Sequence, residues 1–170
     1  MKNNHQTKLT WLIVGALVGI GLMQFWPQTP LHATATDRRE GFAIATGLMG
    51  DGVEAIYFLD FLTGDLTAAV ISRHTSKFTA IYKRNVLEDF GADPSKSPQF
   101  LMVTGEVNLI RGAATLRPSD AALYIAELNS GKVAAYAIPW DKTALASGRP
   151  SEGTFIPLDR VQFRTTAIRQ

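Results

Sequence analysis

The amino-acid sequence predicts an all-β domain that follows one N-terminal apolar helix. Three observations carry this prediction: an uncharged run from Leu9 to Trp26, short apolar segments beyond residue 40 that are rich in β-branched and aromatic residues, and a segment that occurs twice. Gly, Asp, Ser and Pro separate the short segments, which is typical of strands joined by turns. The predicted parts are a cytoplasmic tail (1–8), a transmembrane helix or signal segment (9–26), a linker (27–40) and an extracytoplasmic β domain (41–170).

The apolar run of 18 residues is long enough to cross a membrane. As a helix it measures about 27 Å, close to the hydrocarbon thickness of a bilayer, so the lipid bilayer is the predicted partner of this segment. Lys2 and Lys8 precede the run without an acidic residue, and retention of positive charge in the cytoplasm predicts that the C-terminal domain lies outside. Gly15 and Gly19 form a GxxxG pattern, a candidate helix–helix contact, although glycine is also common in membrane helices that make no such contact.

A cleaved secretory signal is the alternative interpretation of the apolar run. Ala33, Thr34 and Ala35 resemble the small residues of a signal cleavage site, and cleavage there would secrete the domain. Ala35 lies 12 residues beyond Met23, and this distance, together with the length of the run, favours an uncleaved anchor. Both interpretations place the β domain outside the cytoplasm.

The charge and cysteine content limit the functions open to the exported part. All 15 acidic residues and 15 of the 17 basic residues lie after Ala35, so this part is formally neutral although the whole chain carries +2. A nucleic-acid-binding surface needs net positive charge, so we expect no nucleic-acid partner. The absence of cysteine excludes thiolate catalysis, Cys-based zinc sites and lipid attachment through cysteine.

Eight strands and one short helix are predicted in the β domain. Short turns join the strands into two groups of four. The first group is predicted at 42–47, 55–60, 66–72 and 78–84, and the second at 100–107, 122–128, 133–140 and 155–163. The helix is predicted at 85–90, and a second helical turn near 141–146.

Part of the first group recurs in the second. AIYFLDFLTGDLTAAVI begins at Ala55 and aligns without a gap with ALYIAELNSGKVAAYAI, which begins at Ala122; upstream, FAIATG at Phe42 matches FLMVTG at Phe100. These matches predict two repeated four-stranded antiparallel meanders, the unit of a β-propeller blade. A closed propeller needs about four to eight blades. The chain is therefore predicted to self-associate, to pack its two sheets as a sandwich, or to take further blades from another protein.

The repeated hairpins contain four predicted structural turn residues. Gly64 and Gly131 supply the positive φ that a tight turn needs. Asp60 and Glu127 precede these turns, and we expect their carboxylates to accept hydrogen bonds from turn amides. Acid–base chemistry by the two carboxylates is the alternative.

The hairpins at 57–68 and 124–135 resemble the blades of quinoprotein-type β-propellers, in which a strand, an acidic residue, a Thr/Ser-Gly pair and a second strand follow one another. The Trp-containing signature of those blades is absent, so cofactor binding is not carried over. The whole chain also resembles membrane-anchored bacterial proteins of the planctomycete type, through HATATDRRE (32–40) and YFLDFLTGDL (57–66). This second resemblance implies a location and no activity.

No motif in the sequence predicts catalysis or metal binding. The sequence has no Gly-x-Ser-x-Gly elbow, and the glycines of GLMGDG (47–52) have the wrong spacing for a dinucleotide loop. We expect 47–52 to form a loop between the first two strands. His74 is the only histidine beyond the linker, and we expect it in an exposed turn, without the partners that a ligand or catalytic histidine needs.

Four aromatic residues of the domain admit two interpretations. We expect them to pack in the core or at a sheet edge, and the alternative is an exposed face that recognises a peptide or glycan. They are Tyr57, Tyr124, Tyr136 and Trp140.

The expected function is therefore non-enzymatic, with no cofactor. A single helix would tether the β domain outside the cytoplasm, where the domain binds protein partners or copies of itself through sheet edges or a blade face. An envelope hydrolase that uses carboxylates such as Asp60 and Glu127 is one alternative, and a small-ligand sensor is another.

Overall fold

The computed structural model describes residues 8, 11–15, 36–38, 40–109, 117–140, 143 and 147–164. The chain divides into two compact units, Met1–Ala33 and Thr34–Gln170. In the first unit, residues 11–15 are helical and exposed, and the rest of the predicted transmembrane segment lies outside the described residues. None of the helices that are described has the length and apolar character required to span a bilayer.

The described part of the second unit consists of strands with one short helix. The strands are β1 (Thr36–Arg38), β2 (Phe42–Gly50), β3 (Val53–Asp60), β4 (Asp65–Ile71), β5 (Phe78–Asn85), β6 (Phe100–Glu106), β7 (Arg117–Pro118), β8 (Ala121–Glu127), β9 (Lys132–Ala137), β10 (Pro139–Trp140), β11 (Ser151–Thr154) and β12 (Ile156–Gln162). The helix is α1 (Val86–Phe90), and a 3₁₀ turn follows at Pro94–Lys96. This content confirms the predicted all-β class.

The strands form two larger sheets and one small ribbon. The six-stranded sheet has the order β1-β2-β3-β4-β5-β11, and the four-stranded sheet has the order β12-β9-β8-β6. Neighbouring strands are antiparallel except for β11, which pairs with β5 in parallel. β7 and β10 pair as an antiparallel ribbon. Strands β2 to β5 form one meander, and strands β6, β8, β9 and β12 form another.

The core lies between these two sheets. Side chains alternate along each strand, so each sheet presents one buried face to the other. The six-stranded sheet contributes Ala43, Ala45, Met49, Val53, Ala55, Tyr57, Leu59, Leu66, Ala68, Val70 and Ala80. The four-stranded sheet contributes Phe100, Met102, Leu123, Ile125, Ala134 and Tyr136. All of these side chains belong to one hydrophobic cluster.

The two meanders face each other with their strands in the same order, first strand against first and fourth against fourth. The first strands lie side by side, because Thr104 of β6 donates a hydrogen bond from Oγ1 to the carbonyl oxygen of Thr46 in β2. The fourth strands, β5 and β12, line one groove at the other side, where Arg84 and Arg160 are among its walls. The second meander therefore lies over the first with its strands in the same order.

Helix α1 follows β5 directly and closes one end of the core. The Asn85 side chain caps its start by accepting a hydrogen bond from Leu87 N at 3.0 Å. Gly91 ends it with a left-handed φ of 61°. Val86, Leu87 and Phe90 are buried.

The structure corrects the predicted loop at 47–52. β2 continues to Gly50, and only Asp51 and Gly52, with φ of 52° and 71°, form the turn to β3. A Cβ at Gly47 would lie 3.1 Å from Ala121 Cβ, so this glycine serves close packing between the sheets rather than a loop.

Two other boundaries differ from the predictions. The predicted linker (27–40) contains β1, which pairs with β2 and covers part of its edge. The predicted strand 155–163 corresponds to β12, but the preceding strand β11 was not predicted; the buried Phe155 carries the chain from one sheet to the other. Only residue 143 of the predicted turn 141–146 is described.

Candidate functional site

The carboxylate of Asp60 organises the turn of the first hairpin. Its Oδ1 accepts hydrogen bonds from Leu62 N at 2.8 Å and from Thr63 N at 3.2 Å. The backbone carbonyl of Asp60 accepts a third from Gly64 N at 2.9 Å. The side chain is thus used as an acceptor for turn amides.

Glu127 makes the equivalent contacts in the second hairpin. Its Oε1 accepts from Asn129 N at 3.0 Å and its Oε2 accepts from Ser130 N at 2.7 Å. Its carbonyl oxygen accepts from Gly131 N at 2.9 Å. Glu127 is only 4% exposed, so these bonds satisfy a carboxylate that is largely withdrawn from water. Acid–base catalysis by the pair finds no support in this geometry.

The turn glycines meet two requirements in both hairpins. Gly64 has a φ of 70° and Gly131 a φ of 68°. A Cβ would lie 2.3 Å from Leu87 Cγ at the first position and 2.3 Å from Arg164 Cβ at the second. Positive φ and close approach both exclude a side chain at these positions.

A polar cluster lies beside the groove between the fourth strands. Arg84 binds Asp89 through two hydrogen bonds, Nε to Oδ2 at 2.6 Å and Nη2 to Oδ1 at 2.7 Å. The Tyr136 hydroxyl donates to Asp89 Oδ2 at 2.9 Å, and the guanidinium carbon of Arg84 lies 5.6 Å from the centre of the Tyr136 ring. The groove has a volume of about 450 Å³.

The one carboxylate of this cluster is paired with Arg84, and its other cations donate to backbone carbonyls. Burial raises the pKa of Asp89, but hydrogen bonds from Arg84 and Tyr136 and the nearby guanidinium charges outweigh it, so the pKa lies below its usual value. Burial, and then the bond to Asp89, raise the pKa of Tyr136, which stays protonated. Arg160 donates to the carbonyl of Asp89, and Lys132 Nζ donates to that of Phe90 at 2.9 Å. The cluster therefore fastens α1 to the four-stranded sheet and contains no group suited to proton transfer near neutral pH.

The outer face of the four-stranded sheet is a second candidate, and we call it the Tyr124 face. Two rows of paired residues cross it, Val103–Tyr124–Ala135–Asp159 and Leu101–Ala126–Val133–Val161. Exposed fractions are 52% for Val103, 48% for Val161, 45% for Leu101 and 38% for Tyr124. Asp159 is the only charged residue in the two rows, and it stands at the end of one. Contiguous apolar surface of this kind is a candidate interaction site.

The outer face of the six-stranded sheet is also apolar, and we call it the Phe58 face. Its rows are Ile44–Phe58–Thr67–Lys83 and Thr46–Ile56–Ala69–Ile81. Phe42 stacks on Phe58 with ring centres 5.2 Å apart, and these two side chains are 39% and 41% exposed. Within strands β2 to β5, Lys83 is the only charged residue in these two rows; at the sheet edges β1 adds Asp37 beside Ile44, and β11 adds Glu152 beside Ile81.

The four aromatic residues divide between the two interpretations. Tyr57 and Tyr136 are each 1% exposed, and Trp140 packs half-buried against the core, as expected of core and edge aromatics. Tyr124 lies on the Tyr124 face instead.

The sequence analysis did not identify Arg84 or Asp89 as site residues. One signal was present: Arg84 follows Ala80 and Tyr82 at the core-facing positions of β5, and a cation at such a position indicates an ion pair.

The other predicted residues make no site. His74 is exposed in the turn between β4 and β5, as predicted. Gly15 is helical and exposed, and Gly19 lies outside the described residues. Within the part of the chain that the structure describes, no group of three or more His, Asp or Glu side chains is placed to hold a metal ion.

Comparison with known proteins gives this chain no relative. No protein-family model, curated protein sequence or solved structure matches it. The resemblances to quinoprotein-type blades and to planctomycete-type membrane proteins therefore remain predictions from the sequence.

Proposed function

We propose that this chain is a membrane-tethered, extracytoplasmic interaction module without enzymatic activity, which binds protein partners or copies of itself. The observation that supports the proposal best is the Tyr124 face, which leaves four large apolar side chains between 38% and 52% exposed on one sheet. Each gains about 1 kcal/mol when a partner covers the remaining surface, given about 1.5–3 kcal/mol for complete burial. Such a face favours a protein partner over solvent.

The tether is the part of the proposal that comes from the N-terminal sequence. The uncharged run from Leu9 to Trp26 and the basic residues before it support a single helix with the domain outside the cytoplasm. Association at a membrane surface raises the effective concentration of partners, so a small contact area is sufficient.

Topology is tested by single cysteines, because the natural chain has none. His74→Cys is placed in an exposed turn and Asn4→Cys in the tail. We expect a membrane-impermeant maleimide to label H74C in intact cells and N4C only after lysis. Labelling of H74C only after lysis contradicts an extracytoplasmic domain.

The interaction itself is tested by a photo-crosslinking residue at Val103 of the full-length chain, introduced in intact cells. The control places the same residue at Lys96, which is exposed in the 3₁₀ turn and lies outside the Tyr124 face. We expect a discrete adduct from position 103, identified by mass spectrometry as this chain or another envelope protein, and none from position 96. Equal yields at both positions, or none at either, overturn the proposed function.

A further inference from the structure

We infer that the Tyr124 face of one copy docks on the Phe58 face of a second copy, head to tail. The inference rests on the proposed function and names the partner and both surfaces. It follows from a difference between the two repeats: equivalent residues point in opposite directions.

The tyrosines at equivalent places of the repeat show this reversal. Tyr57 and Tyr124 align, yet Tyr57 is 1% exposed in the core and Tyr124 is 38% exposed on the outside. The next core residue of β3, Leu59, is fully buried, while its counterpart Ala126 lies on the Tyr124 face. The Tyr124 face is therefore the counterpart of the buried face of the six-stranded sheet.

The complementary face is reversed in the same way. Phe42 and Phe58 are 39% and 41% exposed, whereas their counterparts Phe100 and Ile125 are fully buried. The Phe58 face is therefore the counterpart of the buried face of the four-stranded sheet. The two kinds of face that pack together inside the chain both occur again on its outside.

If the contact between the two sheets is repeated between copies, both outer faces become covered. Inside the chain, a Tyr57-type face covers a Phe100-type face, with first strand beside first strand and fourth beside fourth. The same contact between copies places the Tyr124 face on the Phe58 face of the next copy. Because the two surfaces differ, this interface is heterologous, and it builds a ring or an open stack.

The area of the contact determines where the assembly is stable. Four strands about 4.8 Å apart and six residues of about 3.3 Å give a face of about 400 Å². Two such faces bury about 800 Å², less than the roughly 1,200–2,000 Å² of stable specific interfaces. A single contact is therefore weak in dilute solution. Closure into a ring and tethering to one membrane supply the further stabilisation.

Disulfide crosslinking of the full-length chain in its membrane distinguishes the geometries. Val103→Cys and Ile44→Cys place one cysteine on the first strand of each outer face. With a mild oxidant, we expect the chain that carries both to form a ladder of dimers and larger species. Chains with either cysteine alone, and the V103C/K96C control, are expected to remain monomeric.

The remaining outcomes are equally decisive. A V103C dimer as abundant as the ladder would show like-on-like pairing and overturn head-to-tail docking. Absence of a ladder, together with a position-103 photo-adduct to a different protein, would overturn this inference and leave the proposed function standing. Absence of both products would overturn both.

Discussion

Position 64 needs glycine for two reasons, its positive φ and its close contact with Leu87, and mutations can separate the two. Its φ is +70° and a Cβ there would lie 2.3 Å from Leu87 Cγ, whereas Gly52 has a φ of +71° and open space around it. We expect Gly52→Ala to lower the free energy of unfolding by about 1–2 kcal/mol from backbone strain. Gly64→Ala is expected to cost about 1–3 kcal/mol more, because Leu87 must leave its place in the core. Urea denaturation of the full-length chain measures both, and equal losses would show that the Leu87 contact costs nothing.

The Asp89 carboxylate makes stability depend on pH. Burial raises its pKa, but bonds from Arg84 and Tyr136 and the nearby guanidinium charges lower it to below the ordinary value. A group whose pKa is lowered by folding stabilises the fold above its unfolded pKa, and this contribution disappears as the pH falls through the folded value. We therefore expect the free energy of unfolding to decrease below about pH 4.

Asp89→Asn is expected to reduce this acid-dependent decrease, because the amide has no charge to lose. Glu88→Gln, at an exposed position of the same helix, is the control and is expected to keep the wild-type slope. Denaturation curves between pH 2 and 7 measure the slopes. Identical slopes for Asp89→Asn and the wild type would contradict a stabilising role of the Asp89 ion pair.

At the scale of elements, helix α1 depends on the residue that precedes it. Asn85 Oδ1 accepts from Leu87 N at 3.0 Å, and Asn85 Nδ2 donates to Thr63 O at 2.9 Å, which ties the helix to the first hairpin. We expect Asn85→Ala to lower the free energy of unfolding by about 1–2 kcal/mol. Asn85→Ser keeps an acceptor for the helix amide but not the amide donor, so its loss should be smaller. Thermal or urea denaturation ranks the two variants, and a larger loss for serine would contradict the capping role.

Sequence patterns predict the strands that pair with their neighbours along the chain. Alternating apolar residues and turn glycines locate β2 to β6, β8 and β9, since each of these contacts is local. The same patterns locate β12 within 155–163 but miss β11. β11 is defined by its parallel pairing with β5, about 70 residues earlier, which no local pattern contains.

The direction in which each strand faces was also beyond the sequence. Both faces of β3 are apolar, with Tyr57 and Leu59 on one and Ile56 and Phe58 on the other. Alternation separates the two sets without showing which one is buried. The repeat adds a misleading expectation, because identical residues suggest identical environments, whereas Tyr57 and Tyr124 point to opposite sides.

At the scale of the whole molecule, this reversal explains why the two outer sheet faces are unlike one another. A sandwich of two copies related by a two-fold axis would bury the same face of each sheet and leave matching outer faces. Stacking the second meander on the first in the same direction instead buries unlike faces and leaves unlike faces outside. The two outer faces therefore differ from one another as the two buried faces do, and a contact between unlike faces is the condition for head-to-tail growth.

Charge on the two faces gives this stacking a register that is open to test. Among the four meander strands of each sheet, Asp159 of β12 and Lys83 of β5 are the only charged residues in the central rows of the Tyr124 and Phe58 faces, and both lie on the fourth strand. In-register docking brings the Asp159 of one copy near the Lys83 of the next.

We expect Asp159→Lys or Lys83→Asp alone to weaken the contact by about 1 kcal/mol, or roughly fivefold in the association constant. The chain that carries both substitutions restores an attractive pair with the charges exchanged. Measured in the V103C/I44C background, the disulfide ladder should decline in each single variant and return in the double variant. Lys96→Glu, a charge reversal of the same size in the exposed 3₁₀ turn and outside both faces, is expected to leave the ladder unchanged. Decline without recovery in the double variant would show that the copies dock in another register.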